Sequence, residues 1–113
     1  MDRFRARAEA AIARDEPAEL RDLALDIGLE AENREWAQAC CVQLARHHDA
    51  EVRGNALLAF GHLARRFGHL DPGRVRRLVS IALFDPSSSV REKARSAVLD
   101  LRTFLSWEFE EAP

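Results

Sequence analysis

The chain has 113 residues, of which 47% are hydrophobic and 32% charged, with 17 basic against 19 acidic side chains. This is enough apolar material for one domain, residues 1–113, to fold around its own core without disulfide bonds. The net charge of -2 argues against a nucleic-acid partner, and the lack of a long apolar run or signal peptide predicts a cytoplasmic protein without membrane contact.

Apolar residues recur at spacings of three and four along nearly the whole chain, which is the period of an amphipathic helix. The turn signals divide this pattern into six predicted helices: about residues 2–14, 17–29, 32–47, 50–67 and 72–84, and a last one from the serine run 87–89 to about 108. Gly68 is the predicted stop of the fourth helix. Ser89 and Glu92 have the spacing of a capping box at the start of the sixth.

The start of the fourth helix is repeated in the sixth. Val52-Arg53-x-x-Ala56 aligns with Val90-Arg91-x-x-Ala94 at an offset of 38 residues, and a weaker copy, Leu20-Arg21-x-x-Ala24, lies 32 residues upstream. Helix pairs with such a period are typical of an α-solenoid, in which each pair buries its apolar face against its neighbours. The alternative is a plain six-helix bundle with a chance echo between two helices.

The repeated motif resembles that of HEAT-repeat proteins. The residues that carry the likeness are Asp49, Val52, Arg53 and Ala56 in one copy and Asp85, Val90, Arg91 and Ala94 in the next. The resemblance implies an all-α fold, an α-α superhelix (HEAT-like solenoid) of about three antiparallel helix pairs. It also implies that Asp49, Asp85 and the two arginines form a structural ladder between repeats.

A narrower likeness covers roughly residues 53–105. The run from Arg53 to Asp71, with the later pairs Val90-Arg91 and Asp100-Leu101, is similar to short bacterial HEAT-like proteins, some of which are immunity proteins of polymorphic or contact-dependent toxin systems. That resemblance implies a non-enzymatic antidote that binds a cognate toxin domain, usually a nuclease, as a monomer or weak dimer. The alternative partner is a non-toxin protein, for which the chain would be a scaffold or accessory subunit.

The predicted contact surface lies on the side of the second helices that faces away from the apolar stripe. Residues spaced by three and four form a ridge there, since such residues share one side of a helix. The predicted partner-binding residues are Asn55, Leu58, His62 and Arg65 on the fourth helix and Lys93, Ser96, Asp100, Thr103 and Trp107 on the sixth. Trp107 has an alternative role, which is to cap the open end of the core.

Candidate chemistry is sparse. Cys40, Cys41, His47 and His48 are metal-ligand types, but on one helix they point in different directions and cannot converge on a tetrahedral ion. The two Gly-His-Leu triplets lack a nucleophile motif beside them, and neither a P-loop nor a dinucleotide fingerprint occurs. We therefore expect no catalytic residue, no metal and no cofactor.

Charged segments lie near both ends of the chain and around the turn between the fourth and fifth helices. The arginines at that turn form a predicted basic corner with the composition of an anion site: Arg65, Arg66, Arg74, Arg76 and Arg77. The interpretation we favour is that they are solvated arginines whose stems cover apolar edges. The acidic tail, residues 108–113, is expected to fray, and together with Glu30, Glu32 and Glu35 it would attract a basic partner.

Overall fold

The computed structural model describes residues 2–110, and within this range it contains helices and no strand. The six helices are α1 (Arg3–Arg14), α2 (Pro17–Glu30), α3 (Arg34–Leu44), α4 (Ala50–Phe67), α5 (Pro72–Ala82) and α6 (Ser88–Leu105). The prediction of an all-α fold is confirmed. None of these helices has both the length and the hydrophobicity that a membrane crossing requires.

Short polar side chains start most of these helices. The side chains of Asp2, Asn33, Asp49, Asp71 and Ser87 each accept a hydrogen bond from a free backbone N–H in the first turn. Such a cap satisfies a donor that has no partner within the helix. Gly68 ends α4 in the left-handed conformation, with φ of 67°, so the predicted glycine stop is confirmed.

Two predicted boundaries are wrong. α3 ends at Leu44 and not near His47, because Arg46 and His47 donate their N–H groups to Gln43 and Leu44, three residues back, in a tighter turn. α6 ends at Leu105 and not near residue 108, since Ser106 is in the left-handed conformation. It starts within the serine run as predicted, but its capping residue is not Ser89. Its cap is Ser87, since the N–H of Val90 bonds to the Ser87 hydroxyl, and the Ser89 hydroxyl instead donates to Glu51 at 3.2 Å.

The helix α4 is the centre of the structure. It packs against α2 on one side and α6 on the other, while α3 and α5 pack on the resulting row of α2, α4 and α6. The core side of α4 carries the predicted stripe, and Val52, Phe60 and Leu63 are fully buried there. These buried positions make α4 the helix that holds the others together.

The approach of the row helices is close because small residues lie at the seams. A Cβ atom added to Gly28 of α2 would lie 2.8 Å from the Cα atom of Ala59 on α4. On the opposite side of α4, the Asp100 side chain of α6 lies directly over Gly61. Glycine at these two positions therefore sets how near the neighbouring helices can come.

The segment after α6 folds back onto the body of the protein. Ser106 ends α6 with φ of 57°, and Trp107 and Phe109 are then buried with their ring centroids 6.4 Å apart. The expectation that the tail frays from residue 108 is therefore wrong for Phe109, although Glu108 and Glu110 are exposed. The rest of that predicted tail, residues 111–113, lies outside the described residues.

Candidate partner-binding surface

Arginine–aspartate pairs join α2 to the turn before α4, and α4 to the turn before α6. Arg21 of α2 bonds to both carboxylate oxygens of Asp49 at 2.8 and 3.0 Å, and Arg53 of α4 bonds to both of Asp85 at 2.9 and 3.0 Å. The Arg53–Asp85 part of the predicted ladder is confirmed. The partner of Asp49, however, is Arg21 from the weak first copy of the motif.

Backbone carbonyls complete this ladder. Arg53 also donates to the carbonyl oxygens of His47 and His48, and Arg91 donates to those of Asp85 and Pro86 at 2.7 and 3.1 Å. These carbonyls lie in turns, where no helix partner is available. The arginines of the motif are thus occupied in holding turns together.

The ion pairs lower the pKa of both aspartates. Arg21 holds the pKa of Asp49 well below its usual range, helped by the N–H of Val52 against a smaller effect of burial. For Asp85, burial alone would raise the pKa, but the bonds from Arg53 and from the N–H of Ser87 outweigh it, so the pKa is lowered. Both carboxylates are therefore ionised at neutral pH and hold the adjoining turns.

Asn55 is not a surface contact residue, which corrects one of the nine predictions for the ridge. Its side chain is only 9% exposed and bridges the three helices of the row. The amide nitrogen donates to the carbonyl of Arg21 on α2, and the amide oxygen accepts from the Lys93 ammonium of α6. Lys93 is itself paired with Glu51 at 2.9 Å, so this cluster is structural.

Trp107 is the second correction. It is 8% exposed, lies against Phe109 and has the Arg76 guanidinium 5.3 Å from its ring centroid. The ring closes the end of the core beside α5, as in the alternative interpretation from the sequence. A partner that lies on the ridge would not reach it.

The other predicted positions form an accessible surface. Leu58 and His62 on α4 and Asp100 on α6 are partly exposed, while Arg65, Ser96 and Thr103 are exposed. The Nδ1 atom of His62 is buried without a hydrogen-bond partner. Burial lowers the pKa of His62, Arg65 and Arg66 lower it further, and Asp100 partly opposes them.

Two leucines that the sequence did not single out extend this surface. On each helix of the row formed by α2, α4 and α6, one residue lies at the contact with the neighbouring helix, and we call it the seam residue. Gly28 contacts α4, Gly61 contacts α6 and Asp100 contacts α4. The neighbour on one side of each seam residue is in the core, namely Ile27, Phe60 and Leu101. The neighbour on the other side therefore points outward. These outward residues are Leu29, His62 and Leu99.

We call this surface the outer face and define it by Leu29, Leu58, His62, Arg65, Ser96, Leu99 and Thr103. Leu29 is 48% exposed and Leu99 63%. In the sequence, Leu29 and Leu99 each stand near residues of the predicted core stripe without belonging to the stripe, and this is the signal that could have identified them. Leu99 was missed because Val98 and Leu101 on either side already supplied the expected core positions.

The cysteines and histidines form separate structural groups. Cys40 and Cys41 are buried as expected, and burial raises the pKa of the Cys40 thiol to about 11. His47 bonds to Asp15 at 2.7 Å and stacks on His48. Within residues 2–110 no three side chains of the metal-binding types lie close enough to hold an ion.

The predicted basic corner is divided among four places, the first of which is the outer face, where Arg65 lies. Arg66 donates to the carbonyls of Gly28 and Ala31 at the end of α2, and Arg76 covers Trp107. Arg74 and Arg77 line a cleft of about 690 Å³ between α3 and α5.

Comparison with protein-family models, curated proteins and solved structures finds no match for the chain.

Proposed function

We propose that the chain is a non-enzymatic module that binds a protein partner through the outer face. The observation that carries the proposal is the exposure of Leu29 and Leu99, together with the partly exposed Leu58, on one side of α2, α4 and α6. Exposed apolar side chains among polar ones such as His62 and Ser96 are the composition of a protein interface. Without a bound partner, these apolar side chains remain exposed to water, which is unfavourable.

The same proposal includes a HEAT-like solenoid of about three antiparallel helix pairs. It is supported by the row of α2, α4 and α6 and by the recurrence of the arginine–aspartate pair along that row. In a solenoid, one helix of each repeat lines an extended binding surface. The outer face is likewise lined by one helix of each proposed repeat, namely α2, α4 and α6.

The partner we propose is a bacterial toxin domain, so that the protein acts in the cytoplasm as its antidote. The support is the similarity of residues 53–105 to short bacterial immunity proteins. The mechanism requires no reaction: the bound module covers the toxin's active site and excludes its substrate. Exposed carboxylates at Glu30, Glu32 and Glu35 would attract a basic toxin such as a nuclease and speed association.

The direct test is co-expression with the product of the gene that neighbours the one for this chain, which we propose to be the toxin, with co-purification and cell survival as readouts. Leu58→Asp and Leu99→Asp should weaken binding by at least about tenfold, because each buries a charge in the interface, and should leave helicity unchanged. Ala39→Asp is the matched control, since it introduces the same charge at an exposed position of α3 that belongs to neither the outer face nor the cleft between α3 and α5.

Each outcome of this test is informative. Loss of protection with the outer-face variants and not with Ala39→Asp supports the antidote. Unchanged affinity with both outer-face variants would overturn the proposed surface. Specific binding to a neighbouring gene product that is not toxic would overturn the antidote and favour an accessory subunit.

A further inference from the structure

A cleft of about 690 Å³ separates α3 from α5 on the side of the row helices away from the outer face. Leu57 of α4 and Val90 of α6 are fully buried beneath it and form its floor. Val42 of α3, Ala45 directly after α3 and Leu78 of α5 line its walls. The cleft is therefore apolar at its base and sides.

Arginines surround this apolar cleft. Arg46, Arg74 and Arg77 line it, all three are exposed, and within residues 2–110 no carboxylate lies within ion-pair distance of any of them. The cleft also contains Arg53 and Asp85, which neutralise each other through two hydrogen bonds. The cleft thus has an excess of three positive charges.

A large apolar side chain stands at the rim of the same cleft. Ile81 on its α5 wall is 58% exposed. Phe84, three residues further along the chain, is 65% exposed but does not line the cleft. The exposed part of Ile81 is covered only by a ligand that extends over the rim. This favours a polypeptide over a small anion held within the cleft.

We propose that the cleft binds an acidic segment of a protein partner, with carboxylates on the arginines and apolar side chains on the floor and rim. Guanidinium groups bind carboxylates through paired hydrogen bonds, and the apolar walls would strengthen these bonds by excluding water. A nucleic acid would place phosphates on the arginines but would leave Ile81 without an apolar contact. An acidic segment that also carries apolar side chains contacts both the arginines and the apolar floor and rim of the cleft.

This site is independent of the outer face. None of Leu58, His62 and Leu99 lines the cleft, and the row helices lie between the two surfaces. The module would therefore hold two segments at once, one on each side of the row. A change in the cleft is expected to leave binding at the outer face intact.

The test uses two fluorescein-labelled synthetic helical peptides, each with one leucine face. The first carries glutamates on its other face, and the second has lysine in place of every glutamate. Anisotropy titration of the full chain should show binding of the glutamate peptide alone. Arg74→Glu combined with Arg77→Glu should raise its Kd by at least about tenfold, because it reverses two of the attractive charges.

The matched control is the double variant Arg3→Glu with Arg7→Glu, which changes the net charge equally at two exposed arginines of α1, away from both the cleft and the outer face. It should change the Kd by less than about threefold, the effect expected of long-range charge alone. Arg74→Ala with Arg77→Ala gives the same comparison without new charges. Ile81→Asp should also weaken binding, since it removes an apolar contact at the rim.

Several results would overturn the proposal. These are no binding of the glutamate peptide, equal binding of the lysine peptide, or equal loss of affinity in the control variant. Unchanged binding by Ile81→Asp would remove the apolar half of the site. A single-stranded DNA oligonucleotide that binds more tightly than the peptide, with the same dependence on Arg74 and Arg77, would replace the acidic segment by a nucleic acid.

Discussion

Arg53 donates one hydrogen bond to each carboxylate oxygen of Asp85, which lies 32 residues further along the chain. The same guanidinium also donates to the carbonyls of His47 and His48. One side chain thus holds the turn before α4 and the turn before α6 in a fixed relation. Only a planar group with several donors can make all these bonds at once.

The first prediction concerns the planar guanidinium group of Arg53. Arg53→Lys keeps the positive charge but cannot make the paired bonds, so we expect a loss of about 2 kcal/mol in the free energy of unfolding. Urea denaturation followed by circular dichroism measures it. Arg95→Lys, at an exposed position, is the control and should change stability by less than about 0.5 kcal/mol. Similar losses in both variants would contradict the role of the paired geometry.

The second prediction is a pH dependence that arises at Asp49. The pKa of Asp49 is lowered in the folded chain, so its stabilisation is present above the unfolded value of about 3.9 and is lost as pH falls through the folded pKa. Asp49→Asn retains the helix cap and removes the charge. At pH 7 we expect a loss of about 1 kcal/mol, since Arg21 is partly solvated.

The difference between the native chain and Asp49→Asn should shrink as the pH falls below about 4, because the unfolded native chain then binds a proton at Asp49 that the folded chain does not yet bind, which favours unfolding. Urea midpoints between neutral and acidic pH measure this convergence. A constant difference at every pH would show that the substitution acts through packing and not through the ion pair with Arg21.

The order and type of the helices were predictable from the sequence because their signals are local. Gly68 ends α4, and Asp71 before Pro72 caps α5, through bonds between residues at most four positions apart. The apolar period of α4 is likewise contained within the helix. The end of α3 was not predictable because the chain continues into a tighter turn after Leu44. The cap of α6 required a choice between equivalent neighbours in the serine run, where Ser87 and not Ser89 caps the helix.

The candidate site was less predictable because contacts between helices decide which of its residues are buried and which are exposed. Asn55 has the helical position of a surface residue, yet partners on α2 and α6, both more than 30 residues away, remove it from solvent. Leu99 shows the opposite case, since its exposure follows from Asp100 occupying the seam. Periodicity assigns a side of a helix but does not show which neighbour covers it.

The third prediction tests the close seam between α2 and α4. Gly28→Ala should destabilise the chain by about 2 kcal/mol, because the added Cβ would lie 2.8 Å from a backbone atom that cannot move aside. Gly73→Ala is the control in α5, where the nearest atom would be at 3.4 Å. That variant should be neutral or stabilising by up to about 1 kcal/mol, since alanine favours helix. Thermal unfolding of both compares them, and a destabilised Gly73→Ala would weaken the steric explanation.

The fourth prediction follows from the burial of Trp107. Trp107→Ala should cost about 3 kcal/mol, because it opens a cavity at the end of the core. Thr103→Ala, at an exposed position on α6, should cost less than about 1 kcal/mol. Chemical denaturation measures both variants. If Trp107→Ala instead kept full stability and weakened binding at the outer face, Trp107 would belong to the interface after all.

The fifth prediction concerns His62, whose Nδ1 atom is buried without a partner on the outer face. Its pKa lies below the ordinary value of about 6.5 because of burial and the nearby charges of Arg65 and Arg66, with Asp100 acting in the opposite direction. The unfolded chain therefore binds a proton at a higher pH than the folded chain does. Stability should be constant above about pH 7 and should fall as the pH drops below the unfolded pKa.

His62→Gln should remove this part of the pH dependence, because glutamine does not titrate. The measurement is the urea midpoint from pH 7.5 to pH 5.5, with His69→Gln as the control for loss of an exposed histidine. An equal slope in native chain and His62→Gln would place the acid sensitivity elsewhere. If a bound partner also covers His62, protonation of the free chain would compete with binding, so affinity should decrease over the same pH interval in which stability falls.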